Sequence, residues 1–215
     1  MAARLTRKEK QAHTRECLMH SAAKVFAQRG LEQASIDEVA EDAGFTKGAF
    51  YANFKNKEEL FLAMLDERFA KRIEEIEAVI AGEGSTAEKA RRYGDSFAET
   101  LRADPEWERL SFEFSAYAMR DEQFREELVT RYRAMLKRIA AAFEAEDEQY
   151  GKEATLPSEH VALMTHAMTN GFALEKLLDG DAIPDQLYGT MLMVFFAGLD
   201  ALRRAPAAAG ADELA

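Results

Sequence analysis

Thr46, Lys47, Gly48, Ala49, Tyr51 and Asn53 are the residues whose types and spacing point most directly to chemistry. Read as a short helix with Val39, Phe45, Phe50 and Phe54 turned inward, the run leaves an outward face of small and hydrogen-bonding side chains with one cation. Such a face suits the major groove of duplex DNA, with phosphate donors at its edges and little bulk at its centre. Gly48 costs a helix about 1 kcal/mol against Ala, which makes sense where a base edge or sugar comes close. Lys47 is the side chain best suited to a guanine. Asn56 reads as the cap of a following helix, placing Lys55 and Lys57 beside N–H groups at the positive helix end, where a flanking phosphate would bind. An ordinary helical corner is the competing interpretation.

The elements that would hold this face follow from local signals. Ser35-Ile36-Asp37-Glu38 is a capping box, in which hydroxyl and carboxylate each satisfy the other residue's backbone N–H. It predicts a helix carrying Ile36, Val39, Ala40 and Ala43 inward. Gly44 supplies the left-handed backbone of a turn, and Thr46 caps the next helix, over 47–53. Before them, Leu18, Ala22, Val25 and Phe26 make an apolar stripe that stops at Gly30, with Arg4, Arg7, Lys8 and Lys10 as a mobile basic arm. After them, Leu60, Phe61, Met64, Leu65, Phe69, Ile73, Ile76 and Ile80 mark a long helix ending at Gly82. Further helices are expected over 86–103, from Asp104-Pro105 onward, over 121–146, 158–178 and 184–204. The acidic tract 144–151 reads as a loop or frayed end. With no strand pattern, the expected fold class is all-α: a three-helix helix-turn-helix unit followed by a helical bundle.

Composition agrees with this outline. The chain has 215 residues, 47% of them hydrophobic and 31% charged, enough for a substantial core. Only four prolines and twelve glycines argue against many tight hairpins. A single cysteine, Cys17, excludes an internal disulfide or a cysteine-built metal cage. The net charge of −11 hides a division. Residues 1–57 carry ten Lys/Arg against seven Asp/Glu, whereas the remainder is strongly acidic. One half can approach a polyanion and the other would be repelled. No signal peptide is read at the start, and the apolar stretch 187–202 is short for a bilayer and holds Asp200. No membrane partner and a cytoplasmic location are therefore expected.

Two further sites are suggested beyond Gly84. Phe97, Trp107, Phe114, Tyr117, Met164, His166, Met168 and Phe172 are adaptable lining for an apolar ligand pocket, with His166 and Tyr117 as polar contacts, or else plain core. Val161, Met168, Phe172, Met191, Val194, Phe195, Leu199 and Leu202, on the last two helices, exceed what one packing face needs. They would build a four-helix dimer interface, with Gly171 and Gly198 allowing close crossing, unless they are central to the monomer core. No catalytic set, metal site or cofactor motif is found. His13 and His20, like His160 and His166, are poorly spaced for a shared metal.

The run Ser35 to Phe61, with Lys47-Gly48 opening its second short helix, Tyr51, Phe54 and a lysine at the start of the next, resembles the DNA-binding signature of TetR-family transcriptional regulators. The resemblance covers residues 7 to about 65; beyond them only the architecture is similar. It implies a homodimer that represses transcription at a palindromic operator and is released by a small apolar or amphipathic effector. Thr46, Lys47 and Tyr51 would meet phosphates or the groove, Gly48 and Ala49 would face bases, and Lys57 would hold a flanking phosphate. Ser35, Asn53 and Lys55 complete the implied DNA-binding set. Ala49 and Ala52 are smaller than their family counterparts, favouring thymine methyls or indirect readout there. The domains implied are 1–56 for DNA, 57–204 for ligand and dimerisation, and 205–215 as a disordered tail. An all-α ligand-binding or scaffold protein without operator-specific binding is the alternative.

Overall fold

The computed structural model describes residues 6–204; the expected disordered tail and Arg4 lie outside them. Among the described residues there are nine helices and no strand, so the all-α expectation holds. They are α1 (Arg7–Gln33), α2 (Ile36–Asp42), α3 (Lys47–Tyr51), α4 (Lys57–Ala81), α5 (Thr86–Ala103), α6 (Pro105–Ala118), α7 (Glu122–Gln149), α8 (Ser158–Leu178) and α9 (Leu187–Arg204). None is long and apolar enough to cross a membrane.

The chain divides into two compact units. Among the described residues, one comprises 6–71 and 104–131, the other 72–103 and 132–204. The expected boundary at residue 56 is therefore displaced: the start of α4, all of α6 and the start of α7 pack with the N-terminal helices. The reason is an aromatic core. Phe61 of α4 stacks on Phe114 and Trp107 of α6, Phe114 meets Phe26 of α1 edge-on, and Phe124 of α7 closes the cluster. Burying such rings removes large apolar areas from water.

Local chemistry explains the boundaries in this unit. Thr6 and Glu9 form a capping box that starts α1, so Arg7, Lys8 and Lys10 belong to its first turn and are not a loose arm. Gly30 has φ +73°, a conformation that breaks α1, and a Glu113 carboxylate then accepts the Leu31 N–H at 3.1 Å. Ser35 and Glu38 form the expected box on α2, at 3.2 and 3.0 Å. Gly44, at φ +74°, lets the Phe45 N–H return to the Ala40 carbonyl at 2.8 Å, turning the chain into α3.

The second unit rests on close approach of α5 and α9. A Cβ built on Gly94 would fall onto the Gly189 backbone, and one on Gly189 would lie 3.2 Å from Arg91 Cα. Around this crossing Phe97, Phe172 and Tyr188 pack ring to ring, and the buried Tyr188 hydroxyl pairs with Thr169 Oγ1 at 2.5 Å. Gly171 and Gly198, the glycines expected where two copies cross, take no part in this crossing: an added Cβ there meets nothing within 4 Å in the single chain. The acidic tract is not a loop. It continues α7 to Gln149, where Glu146 pairs with the buried Lys89 at 2.7 Å and both Asp147 carboxylate oxygens accept from Arg203 Nη2.

Candidate nucleic-acid interface and apolar cavity

Phe50 and Phe54 are buried and hold α3 against its neighbours. Thr46 accepts the Ala49 N–H at 3.2 Å, the N-cap that starts the helix. This anchoring leaves Thr46, Lys47, Gly48 and Tyr51 exposed, Tyr51 by about half. Gly48 has no structural necessity within the chain. Its backbone is ordinary helix, and an added Cβ would meet only Thr46 Oγ1, at 3.7 Å. The Lys47 ammonium pairs with Asp37 at 2.8 Å, a hydrogen bond and charge that hold it protonated above its usual range. Both partners are exposed, so this pair is weak and easily exchanged for a phosphate or base.

The remaining expected contacts are placed differently. Ala49 is half-buried. The Asn53 amide folds back to donate to the Ala49 carbonyl at 2.8 Å, and its backbone oxygen accepts Arg15, whose guanidinium lies over the Phe54 ring. Asn53 therefore completes α3 and does not project. Ser35 is exposed but committed to capping α2. Asn56 caps α4 as expected, accepting the Glu59 N–H at 2.8 Å. The Lys55 N–H is taken by Glu59, and Glu58 and Glu59 already place two carboxylates at the positive helix end, so the anion site read there is filled by the protein itself. The Lys55 side chain remains exposed.

Lys57 requires the largest revision. Its ammonium donates to the carbonyls of Leu31 and Ala34, with Glu32 at 3.4 Å, and so closes the end of α1. Partners 23 to 26 residues away could not be found by local pattern. Lys57→Met is expected to lower unfolding stability by about 1–2 kcal/mol, with no change in the salt dependence of DNA binding. Urea titration and binding at several salt concentrations check this; unchanged stability with a shallower salt dependence would restore the phosphate role.

The eight residues expected to line one pocket do not share a space. Trp107, Phe114 and Tyr117 belong to the first unit. Trp107 also carries the Arg68 guanidinium over its ring, and Tyr117 lies edge-on to Phe124 with its hydroxyl near Asp121. Phe97 and Phe172 are buried in the core of the second unit, and Met164 is exposed. Met168 and His166 are half-buried, His166 accepting from or donating to Asn170 at 3.2 Å. Burial, then the nearby Arg72 charge, depresses its pKa to about 4.

An apolar cavity of the second unit lies elsewhere. Ile76, Ile80, Tyr93, Ile139, Phe143 and Leu192 line an apolar space of about 70 Å³, with Lys89 and Glu146 at its wall. Tyr93 belongs to the aromatics that the sequence offers as pocket lining beyond Gly84, whereas Phe143 reads there only as part of the apolar face of the helix over 121–146.

The proposed dimer residues also separate. Val161, Phe172 and Leu199 are buried within the unit, while Met168, Met191 and Phe195 are half-buried. Val194 and Leu202 are exposed, together with Leu163, Leu174 and Leu178, which were not anticipated. Val194 at 68% and Leu178 at 73% exposure are large apolar side chains in water. Leu163, Leu174 and Leu178 recur at helical spacing, so α8 carries a second apolar stripe besides the one it buries.

Comparison with known proteins adds to this geometry. A family model described as bacterial regulatory proteins, tetR family, matches residues 18–64, and one for the C-terminal part of BetI-type transcriptional repressors matches 86–201. The chain is 29% identical over 110 residues to the HTH-type transcriptional activator FasR of Mycolicibacterium smegmatis. That match covers 51% of this chain and about half, 48%, of FasR. Salmonella enterica GusR is similar in fold, with TM-score 0.72 and 21% identity over 92% of this chain and 98% of its own. The regulator FadR from Bacillus subtilis, solved in complex with stearoyl-CoA, gives TM-score 0.68 and 16% identity over 84% and 96%.

Proposed function

The chain is a member of the TetR family of bacterial transcriptional regulators, and we propose that it represses transcription in the cytoplasm as a homodimer on a palindromic operator, released by a small amphipathic effector. The exposed face Thr46-Lys47-Gly48-Tyr51, held by buried Phe50 and Phe54, carries this reading. Inserted in the major groove, it brings the Gly48 backbone against the bases, with Lys47 exchanging Asp37 for a guanine or phosphate. Arg7, Lys8, Lys10 and Lys55 are exposed cations able to grip flanking phosphates.

The apolar stripe of Leu163, Leu174, Leu178, Val194 and Leu202 would close against a second copy, supplying two recognition helices for grooves about 34–36 Å apart. An effector that prefers a conformer with another spacing would release the operator by shifting populations. The roughly 70 Å³ cavity favours a small effector; the long-chain acyl-CoA bound by Bacillus subtilis FadR would require it to open.

Selection from a randomised duplex pool, followed by anisotropy titrations at several salt concentrations, tests the proposal. A two-fold symmetric sequence should emerge, bound by two chains and weakened steeply by salt. Gly48→Gln should lose at least tenfold in affinity for it while unfolding no more easily than the parent, since the added side chain enters open space. No enrichment above random duplex, or full binding by Gly48→Gln, would remove the reading.

A further inference from the structure

Two of the buried polar atoms without a hydrogen-bond partner among the described residues are Thr155 Oγ1 and Arg203 Nε. Both residues line one small cavity in the second unit, of about 40 Å³, whose wall mixes Asp147, Asp200 and Arg203 with Leu156, Val161 and Leu199. This mixed chamber and the apolar one share Thr86, Phe143, Glu146 and Phe196 as lining residues. Phe143 and Phe196 stand ring to ring there, centroids 5.7 Å apart. The second unit thus holds an apolar compartment and one of mixed lining, with two aromatic side chains bordering both.

The charges of the two compartments decide the head group. Glu146, Asp147 and Asp200 face Lys89, Lys152 and Arg203, three against three. Lys89 is paired with Glu146. Arg203 gives its two terminal nitrogens to Asp147 and Asp200, at 2.8–3.1 Å. A carboxylate or an ammonium entering here would add a charge to a balanced set, and burying an uncompensated charge is costly. The unpartnered groups are neutral in their demand. An N–H of Arg203 needs an acceptor, and the Thr155 hydroxyl can donate to one or accept. Leaving such groups unpaired is costly, and a ligand oxygen that pairs with them would recover that cost.

We infer that the effector of this protein is an uncharged amphipathic molecule: a carbonyl or hydroxyl oxygen held by Arg203 Nε and Thr155 Oγ1, with a short apolar chain lying past Phe143 and Phe196 in the apolar chamber. The inference deepens the reading of the second unit as the effector-binding part and rests on it.

The test uses the full chain and three probes of similar length: nonan-2-one, octanoate and octylammonium. Calorimetric titration should find the ketone bound at least tenfold more tightly than either ion. Thr155→Val, which keeps shape and removes the hydroxyl, and Arg203→Lys, which keeps the charge and removes the Nε donor, should each weaken ketone binding about three- to tenfold. Equal or tighter binding of octanoate or octylammonium overturns the inference. So does ketone binding that ignores Thr155→Val, or no binding of any probe by a chain that still selects its duplex. Ketone binding of the expected pattern in a chain that selects no duplex supports the site and refutes the repressor reading instead.

Discussion

Gly94→Ala is expected to cost at least about 3 kcal/mol of stability, at the upper end for an overpacked core position. The added methyl would fall onto the Gly189 backbone, an obstacle that no rotamer change can remove. Either α5 and α9 separate along their length, uncovering Phe97, Tyr188 and Leu192, or the chain there bends. Helical propensity works in the opposite direction, since Ala is favoured over Gly by about 1 kcal/mol. A fall in stability therefore isolates the packing effect. Denaturant titration of Gly94→Ala beside Gly198→Ala, whose Cβ meets nothing within 4 Å in the single chain, makes the comparison. Similar midpoints for the two variants would show that the crossing is looser than described.

The second large effect is pH dependence centred on His166. Its folded pKa lies near 4 against about 6.5 in the unfolded chain, because burial and then Arg72 disfavour the cation. Protons consequently bind the unfolded state more readily between these values, and stability falls as pH falls. The contribution is intact above pH 7, down by about 2 kcal/mol near pH 5, and lost by about 3 kcal/mol below pH 4. His166→Gln keeps a polar side chain beside Asn170 and has no proton to take up in this range. Subtracting its stability from that of the parent between pH 7.5 and 4.5 should give a curve falling toward acid. A flat difference would mean that His166 is reached by water and titrates normally.

Features that depend on neighbours in sequence were legible from the residues alone. The Ser35–Glu38 box, the Gly44 turn, the Thr46 cap and the Asp104-Pro105 start each need partners only three or four residues away, and all stand where they were expected. The resemblance carried by residues 35–61 led to the family in the same way. Features set by distant partners were not legible. Lys57 looked like a phosphate ligand because the carbonyls it serves lie more than twenty residues earlier. Asn53 has the side chain of a base reader, yet its amide closes its own helix. Trp107 and Phe114 have the composition of a ligand pocket, but Phe61 claims them for the core of the first unit. The glycine crossing was missed for a related reason: Gly94 and Gly189 carry no local mark, and only their meeting reveals why neither has a side chain.

The ion pair between Lys47 and Asp37 has a consequence for how the protein would search a genome. On the proposed reading, every encounter with duplex begins with the probing ammonium already occupied by a carboxylate from the chain's own preceding helix. A random stretch offers only a phosphate in exchange, whereas a cognate site offers a base edge as well. On that reading Asp37 is a weak internal competitor that phosphate and base alike must displace, so it loosens binding to duplex of every sequence while keeping Lys47 charged between encounters.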